Sequence, residues 1–211
     1  MHNFFCKFKQ RKANSFTLVE LLVVISIIGL LAGLAVPAIQ GGLDKAKQQT
    51  DVSNARQLGI ILFGEANDNN GMYRRNLELT NTNVGSTLDV FRGLFADKVL
   101  TTTKILAGNG VTAAATTNNL AAANIAWAYG NGCDTSDDGE IPLLITKGTD
   151  AAYGKADITP DKSKCPWKDK GVVLYLIGNS ATFKKSTAGK IPGAITTNMP
   201  ANVSAKIADP S

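Results

Sequence analysis

The sequence predicts an α+β chain, with a long N-terminal α-helix whose first half is apolar enough to cross a membrane and a small head built on an antiparallel β-sheet. Three observations predict it. Residues 16–39 are almost wholly apolar. Apolar residues then recur at mostly three- or four-residue steps as far as Leu62. Beyond residue 125 the pattern changes to β-rich runs punctuated by Gly and Asn. A length of 211 residues leaves room for one ordinary domain plus a helical extension.

Residues 1–15 read as a basic leader. They carry Lys7, Lys9, Arg11 and Lys12 and no acid, and without them 18 basic and 17 acidic residues remain. The net charge of +5 therefore describes the leader. A near-neutral remainder argues against a phosphate-binding surface, so no nucleic-acid partner is expected.

The apolar run Phe16–Ile39 has sixteen consecutive uncharged residues from Leu21 to Val36. As a helix it reaches about 35 Å, enough for a hydrocarbon core of about 30 Å. Basic residues precede the run, whereas Lys45 and Lys47 beyond it are partly offset by Asp44. The positive-inside tendency then places the leader in the cytoplasm and everything after Gln40 on the far side of the membrane. Residues 40–70 read as an amphipathic continuation carrying Leu43, Ala46, Val52, Ala55, Leu58 and Leu62, ended by Asn67-Asp68-Asn69-Asn70-Gly71. Pro37, which lacks an amide hydrogen, followed by Gly41 and Gly42, predicts a kink or local melting between Val36 and Gly42.

Residues 71–185 read as the α+β head. Ser86 or Thr87 caps a short helix bearing Val90, Phe91, Leu94 and Phe95. Residues 101–124 have no assignable pattern. Ile125, Trp127 and Tyr129 alternate with alanines as in a half-buried strand, and Val172–Ile177 turns through Gly178-Asn179-Ser180 into Ala181–Lys184 as a hairpin. The polar tail 186–211, with Pro192, Pro200 and Pro210, is expected to be loosely ordered.

Three cysteines are present, and Cys6 lies in the leader. Cys133 and Cys165 then form either one disulfide, in an oxidising compartment, or two thiols. The only histidine, His2, is also in the leader, so no histidine-based triad or zinc site outlasts leader removal. No glycine-rich phosphate loop follows a strand, and the chain does not read as an enzyme. The acidic loop with Asp134, Ser136, Asp137, Asp138, Gly139 and Glu140 has a calcium-loop glycine but places Ile145 where a bidentate Glu is required. A solvated loop is the simpler reading, and no cofactor is assigned.

Glu20 needs the most explanation. A charged side chain costs roughly 2.5–3.5 kcal/mol at the centre of a span on insertion scales, and less near an interface. A cut before Phe16 would create a compensating amine four residues away, and the amine of an adjacent subunit would serve equally well.

Ser15 followed by Phe16-Thr17-Leu18-Val19-Glu20-Leu21-Leu22-Val23-Val24-Ile25 closely resembles the processing and assembly motif of type IV prepilins and type II secretion pseudopilins. The resemblance implies a pilin-like fold and a structural filament subunit. It further implies cleavage between Ser15 and Phe16 by a prepilin peptidase, N-methylation of Phe16, and assembly through Glu20. Partners would be other pilin or pseudopilin subunits and an inner-membrane assembly platform. Pro37 falls where many members of that family have proline. Ser15 departs from the usual glycine, which predicts slower cleavage, and some related pseudopilins hold calcium in their heads. The helix exit 55–71 and the hairpin 172–183 are similar to a bacterial pseudopilin-like group. The rival reading is a membrane-anchored extracytoplasmic binding protein whose anchor is uncleaved or cut by signal peptidase, for which Gly33-Leu34-Ala35 offers a small-x-small site.

Overall fold

The computed structural model describes residues 16–74, 86–130, 133–151, 157–192 and 207–208. The chain divides into two compact units, residues 1–44 and 45–211. One helix, α1 (Leu18–Asp68), contributes to both.

In the first unit α1 presents its side chains outward all round, and Leu18, Leu21, Leu22, Ile25, Ile28 and Leu31 are each more than half exposed. A helix apolar on every face suits lipid or other helices, because its backbone groups are already satisfied internally. The one hydroxyl in the uncharged run, Ser26, donates back to the Leu22 carbonyl at 2.8 Å and so needs no outside partner. Helix runs through Pro37 without interruption, so of the kink or local melting expected between Val36 and Gly42 the melting does not occur. Proline removes a single amide donor, and the turns on either side keep the remaining helical bonds.

In the second unit α1 buries Asp51, Val52, Ala55, Leu58, Gly59, Leu62, Glu65 and Ala66, a single stripe at three- and four-residue spacing. Leu43 and Ala46, expected on that stripe, are exposed. The loops that cover the helix bond to it at Asp51, through Asn109 and Trp167, beyond the position of Leu43 and Ala46. The helix stops where Asn70 and Gly71 take positive φ of 57° and 83°, and the Gly71 amide donates to the Ala66 carbonyl. A second helix, α2 (Thr87–Ala96), is capped by Ser86, whose hydroxyl accepts from the Leu88 amide. It buries Val90, Phe91 and Leu94.

The strands are β1 (Trp127–Gly130), β2 (Pro142–Thr146), β3 (Asp157–Ile158), β4 (Gly171–Leu176), β5 (Ala181–Lys185), β6 (Ile191–Pro192) and β7 (Ile207–Ala208). An antiparallel sheet runs β5-β4-β2-β1-β7, and β3 pairs with β6 as a separate ribbon. Trp127, Tyr129, Leu144, Val173 and Tyr175 belong to the cluster that includes the α1 stripe and α2. Ala128, Ile145, Val172 and Leu174 point into a second cluster with Ile158, Cys165, Trp167 and Ile191. Both faces are thus covered, and β1 is buried along its whole length rather than half-buried. The segment 101–124 contains three single turns of 3₁₀ helix, tied down by Trp127 Nε1 donating to the Ile105 carbonyl and Thr103 donating to that of Ala114. Two pieces of the tail expected to be loose pair instead, β6 with β3 and β7 with β1. Residues 193–206 lie outside the described residues.

Candidate processing and assembly site

Glu20 sits in the first turn of α1, and Thr17 is the residue just before the helix. The Glu20 amide donates to the Thr17 hydroxyl at 3.2 Å. The Thr17 amide and hydroxyl both donate to Glu20 Oε2, at 2.9 and 2.7 Å. This reciprocal arrangement is a capping box, in which one side chain at the cap and one three residues on satisfy each other's backbone donors. It occupies one carboxylate oxygen and aims the group at the positive end of the helix. Sequence reasoning missed it, although Thr-x-x-Glu before an apolar run is its usual signature.

Phe16 precedes the box and is largely exposed. In the intact chain its nitrogen is an uncharged amide, and among the described residues the Glu20 carboxylate is held by Thr17 and the helix dipole. Phe16, Val19, Glu20, Val23 and Val24 line one shallow open groove, which brings the expected cut site and the acid together on one side of the helix. Ser15 lies outside the described residues.

The family described as "Prokaryotic N-terminal methylation motif" matches residues 10–36, a stretch containing Ser15, Phe16 and Glu20. Proteins named Type II secretion system core protein G are similar over part of the chain. That of Aeromonas hydrophila is 44% identical over 62 residues, covering 29% of this chain and 43% of the relative. That of Escherichia coli is 51% identical over 43 residues, covering 20% and 30%. That of Vibrio cholerae is 46% identical over 46 residues, covering 22% and 32%. The chain spans less than half the length of each of these relatives. No solved structure matches it.

Over residues 10–36 the chain is prepilin-like.

The remaining residues singled out in the prepilin-like chain lie in the head. Cys133 and Cys165 are both buried thiols. They occupy the separate clusters on the two faces of the sheet, so the disulfide left open by the cysteine count is not formed. The acidic loop uses its carboxylates to hold its own turns. Asp134 accepts from the Ser136 amide at 2.9 Å, Asp137 from that of Asp134 at 2.7 Å, and Asp138 from that of Glu140 at 3.0 Å. Among the described residues no group of three or more His, Cys, Asp or Glu converges as metal ligands would.

Two polar constellations in the head had no sequence signal. Asp51 is 5% exposed and accepts from the Asn109 amide at 3.1 Å and from Trp167 Nε1 at 2.8 Å. Burial raises its carboxyl pKa, opposed by those two donors. Arg74 bridges the buried Glu65 and the exposed Asp97. Beside it Tyr129 donates to the Arg74 carbonyl at 3.0 Å, and burial pushes the phenol of Tyr73 up to about 12. Both constellations join segments far apart in sequence, and their position inside the core makes them fastenings of the head.

Proposed function

We propose that the chain is the precursor of a structural subunit of a pseudopilus-type filament, of the kind that serves type II secretion, and that it has no catalytic role. Phe16 is the mature N-terminus after a prepilin peptidase removes residues 1–15, and the same enzyme methylates its amine. The helix 18–36 anchors the precursor in the inner membrane with the leader cytoplasmic and the head on the far side. An assembly platform and other pilin or pseudopilin subunits are its partners.

The observation that carries this reading is the Thr17–Glu20 box placed directly after the expected cut, at the head of an outward-facing apolar helix. Cleavage turns the Phe16 amide into an amine, with an ordinary pKa of about 7.7–8.0 and a positive charge at lower pH. Thr17 holds Glu20 by one oxygen, and Oε1 remains to receive the amine of a neighbouring subunit. In a low-dielectric surround, such an opposite charge is worth far more than in water. Helix can leave lipid for helix contact because no backbone group loses a partner on the way.

Terminal sequencing together with the mass of the mature protein tests the reading. The expected product begins at Phe16 and is heavier by one methyl group. A working form that retained Met1 would overturn the reading. Glu20→Ala is expected to leave insertion and cleavage intact and to abolish assembly, and normal filaments from that variant would refute the pairing.

A further inference from the structure

Formal charge in the head is sorted along the β4–β5 hairpin. Residues 162–190 contain Lys162, Lys164, Lys168, Lys170, Lys184, Lys185 and Lys190 but only one acid, Asp169. All seven lysines are exposed. Lys184 and Lys185 close the open end of the hairpin, where they pair in register with Val172 and Gly171, and the Lys170 carbonyl accepts from the Ser186 amide at 2.9 Å. Lys184 and Lys185 have no ion-pair partner among the described residues.

The other end of the same hairpin adjoins the acidic loop. The Gly178 amide donates to the Gly139 carbonyl and the Ile177 amide to that of Ile141, both at 2.9 Å. Residues 134–140 hold Asp134, Asp137, Asp138 and Glu140 and no base, with Asp138 and Glu140 exposed. The six residues of β4 separate the two ends by about 17 Å at the usual rise per residue. Lysine on an edge strand is often only a guard against strand pairing with another chain. That explanation covers β5, Lys162 pairs with Asp169 and Lys190 with Asp157, and three carboxylates of the acidic loop hold its own turns; the exposed Lys164, Lys168 and Glu140 still leave opposite charge at the two ends of one hairpin.

We propose that the lysine-rich end of one head docks against the acidic loop 134–140 of a second copy of this chain. Complementary patches on different parts of one surface make a head-to-tail contact, which propagates as an open filament rather than closing a dimer. The proposal rests on the filament reading above and adds which parts of the head meet. Pairing of this kind fixes register and favours the right neighbour, since juxtaposed like charges are strongly penalised.

The test uses full-length chains expressed in cells, with filament yield as the readout. The variants are Lys184→Glu with Lys185→Glu, Asp138→Lys with Glu140→Lys, and all four together. Each charge reversal is expected to lower the yield about ten-fold or more, as like charges then face each other. The fourfold variant is expected to recover most of the loss, which also demonstrates that the altered heads fold. Wild-type filaments should loosen as ionic strength rises. If the wild type forms no filament, the filament reading itself fails. If it does and either reversal is neutral, the docking proposal alone is overturned. If both reversals lower the yield and the fourfold variant restores nothing, the lysines meet something other than the acidic loop, and the proposal is equally overturned.

Discussion

Gly59 and Gly64 lie in the same helix five residues apart, and replacing each with alanine sets backbone propensity against packing. Alanine is favoured over glycine in a helix by about 0.8–1.0 kcal/mol. At Gly64, which is exposed, an added Cβ meets nothing within contact distance. Gly64→Ala is therefore expected to stabilise by about 0.5–1 kcal/mol. At Gly59 the Cβ would fall inside the ring of Tyr175 on β4. That ring is buried and its hydroxyl donates to Asn179 Oδ1 at 2.6 Å, so it cannot turn aside without losing the bond. Overpacking costs about 1–3 kcal/mol and a lost hydrogen bond about 1 kcal/mol. Set against the propensity gain, Gly59→Ala should destabilise by about 1–3 kcal/mol. The assay is urea unfolding of the full chain in detergent micelles, followed by fluorescence of the buried Trp127 and Trp167. With a slope of about 1–3 kcal/mol per molar, the midpoint of Gly59→Ala should lie about 1 M or more below that of Gly64→Ala. Equal midpoints would refute the close approach of α1 and β4 at this point.

The other expected outcomes concern charge. Thr17→Val removes the hydroxyl of the capping box, costing the helix start about 1 kcal/mol, and should weaken assembly while leader removal, followed by mass, continues. Asp51 has a folded pKa above its ordinary 3.8, so its ionisation opposes folding. The wild type should lose stability relative to Asp51→Asn as pH rises from 3.8 through the raised value, and a relative gain over that window would reverse the assigned sign. Arg74→Ala leaves the buried Glu65 carboxylate without its cation and should cost about 2–4 kcal/mol in the same urea assay. Asp97→Asn, at the exposed end of the same bridge, should cost less than about 1 kcal/mol. Similar losses for the two would mean that burial does not set the value of this network.

The long helix was legible because two periodicities meet in it, an unbroken apolar run and then a stripe from Val52 to Leu62. Its end was legible because Asn70 and Gly71 tolerate positive φ. The β4–β5 hairpin showed itself through the turn residues Gly178 and Asn179, of which Asn179 takes a positive φ of 61°. β2 did not. Pro142-Leu143-Leu144-Ile145-Thr146 is covered on both faces, so it carries no alternation, and it opens on a proline. β3, β6 and β7 have two residues each and exist through their partners, which local sequence cannot reveal. At the candidate site, Phe16 and Glu20 were legible as a motif. The role of Thr17 is less legible, because a lone acid in an apolar run stands out as a cost of insertion, whereas the local bond that absorbs part of that cost belongs to the folded helix start. Leu43 and Ala46 were placed on the buried stripe because periodicity extends beyond the part of the helix that the head covers.

The placement of Cys133 and Cys165 on opposite sides of the sheet equips the head with two internal clocks. A thiol-reactive alkylating reagent meets both of them shielded while the head is closed. Mass-resolved labelling during urea exposure or refolding would time the sealing of the helix side through Cys133 and of the opposite side through Cys165. The head could thus report which layer closes first without any introduced probe.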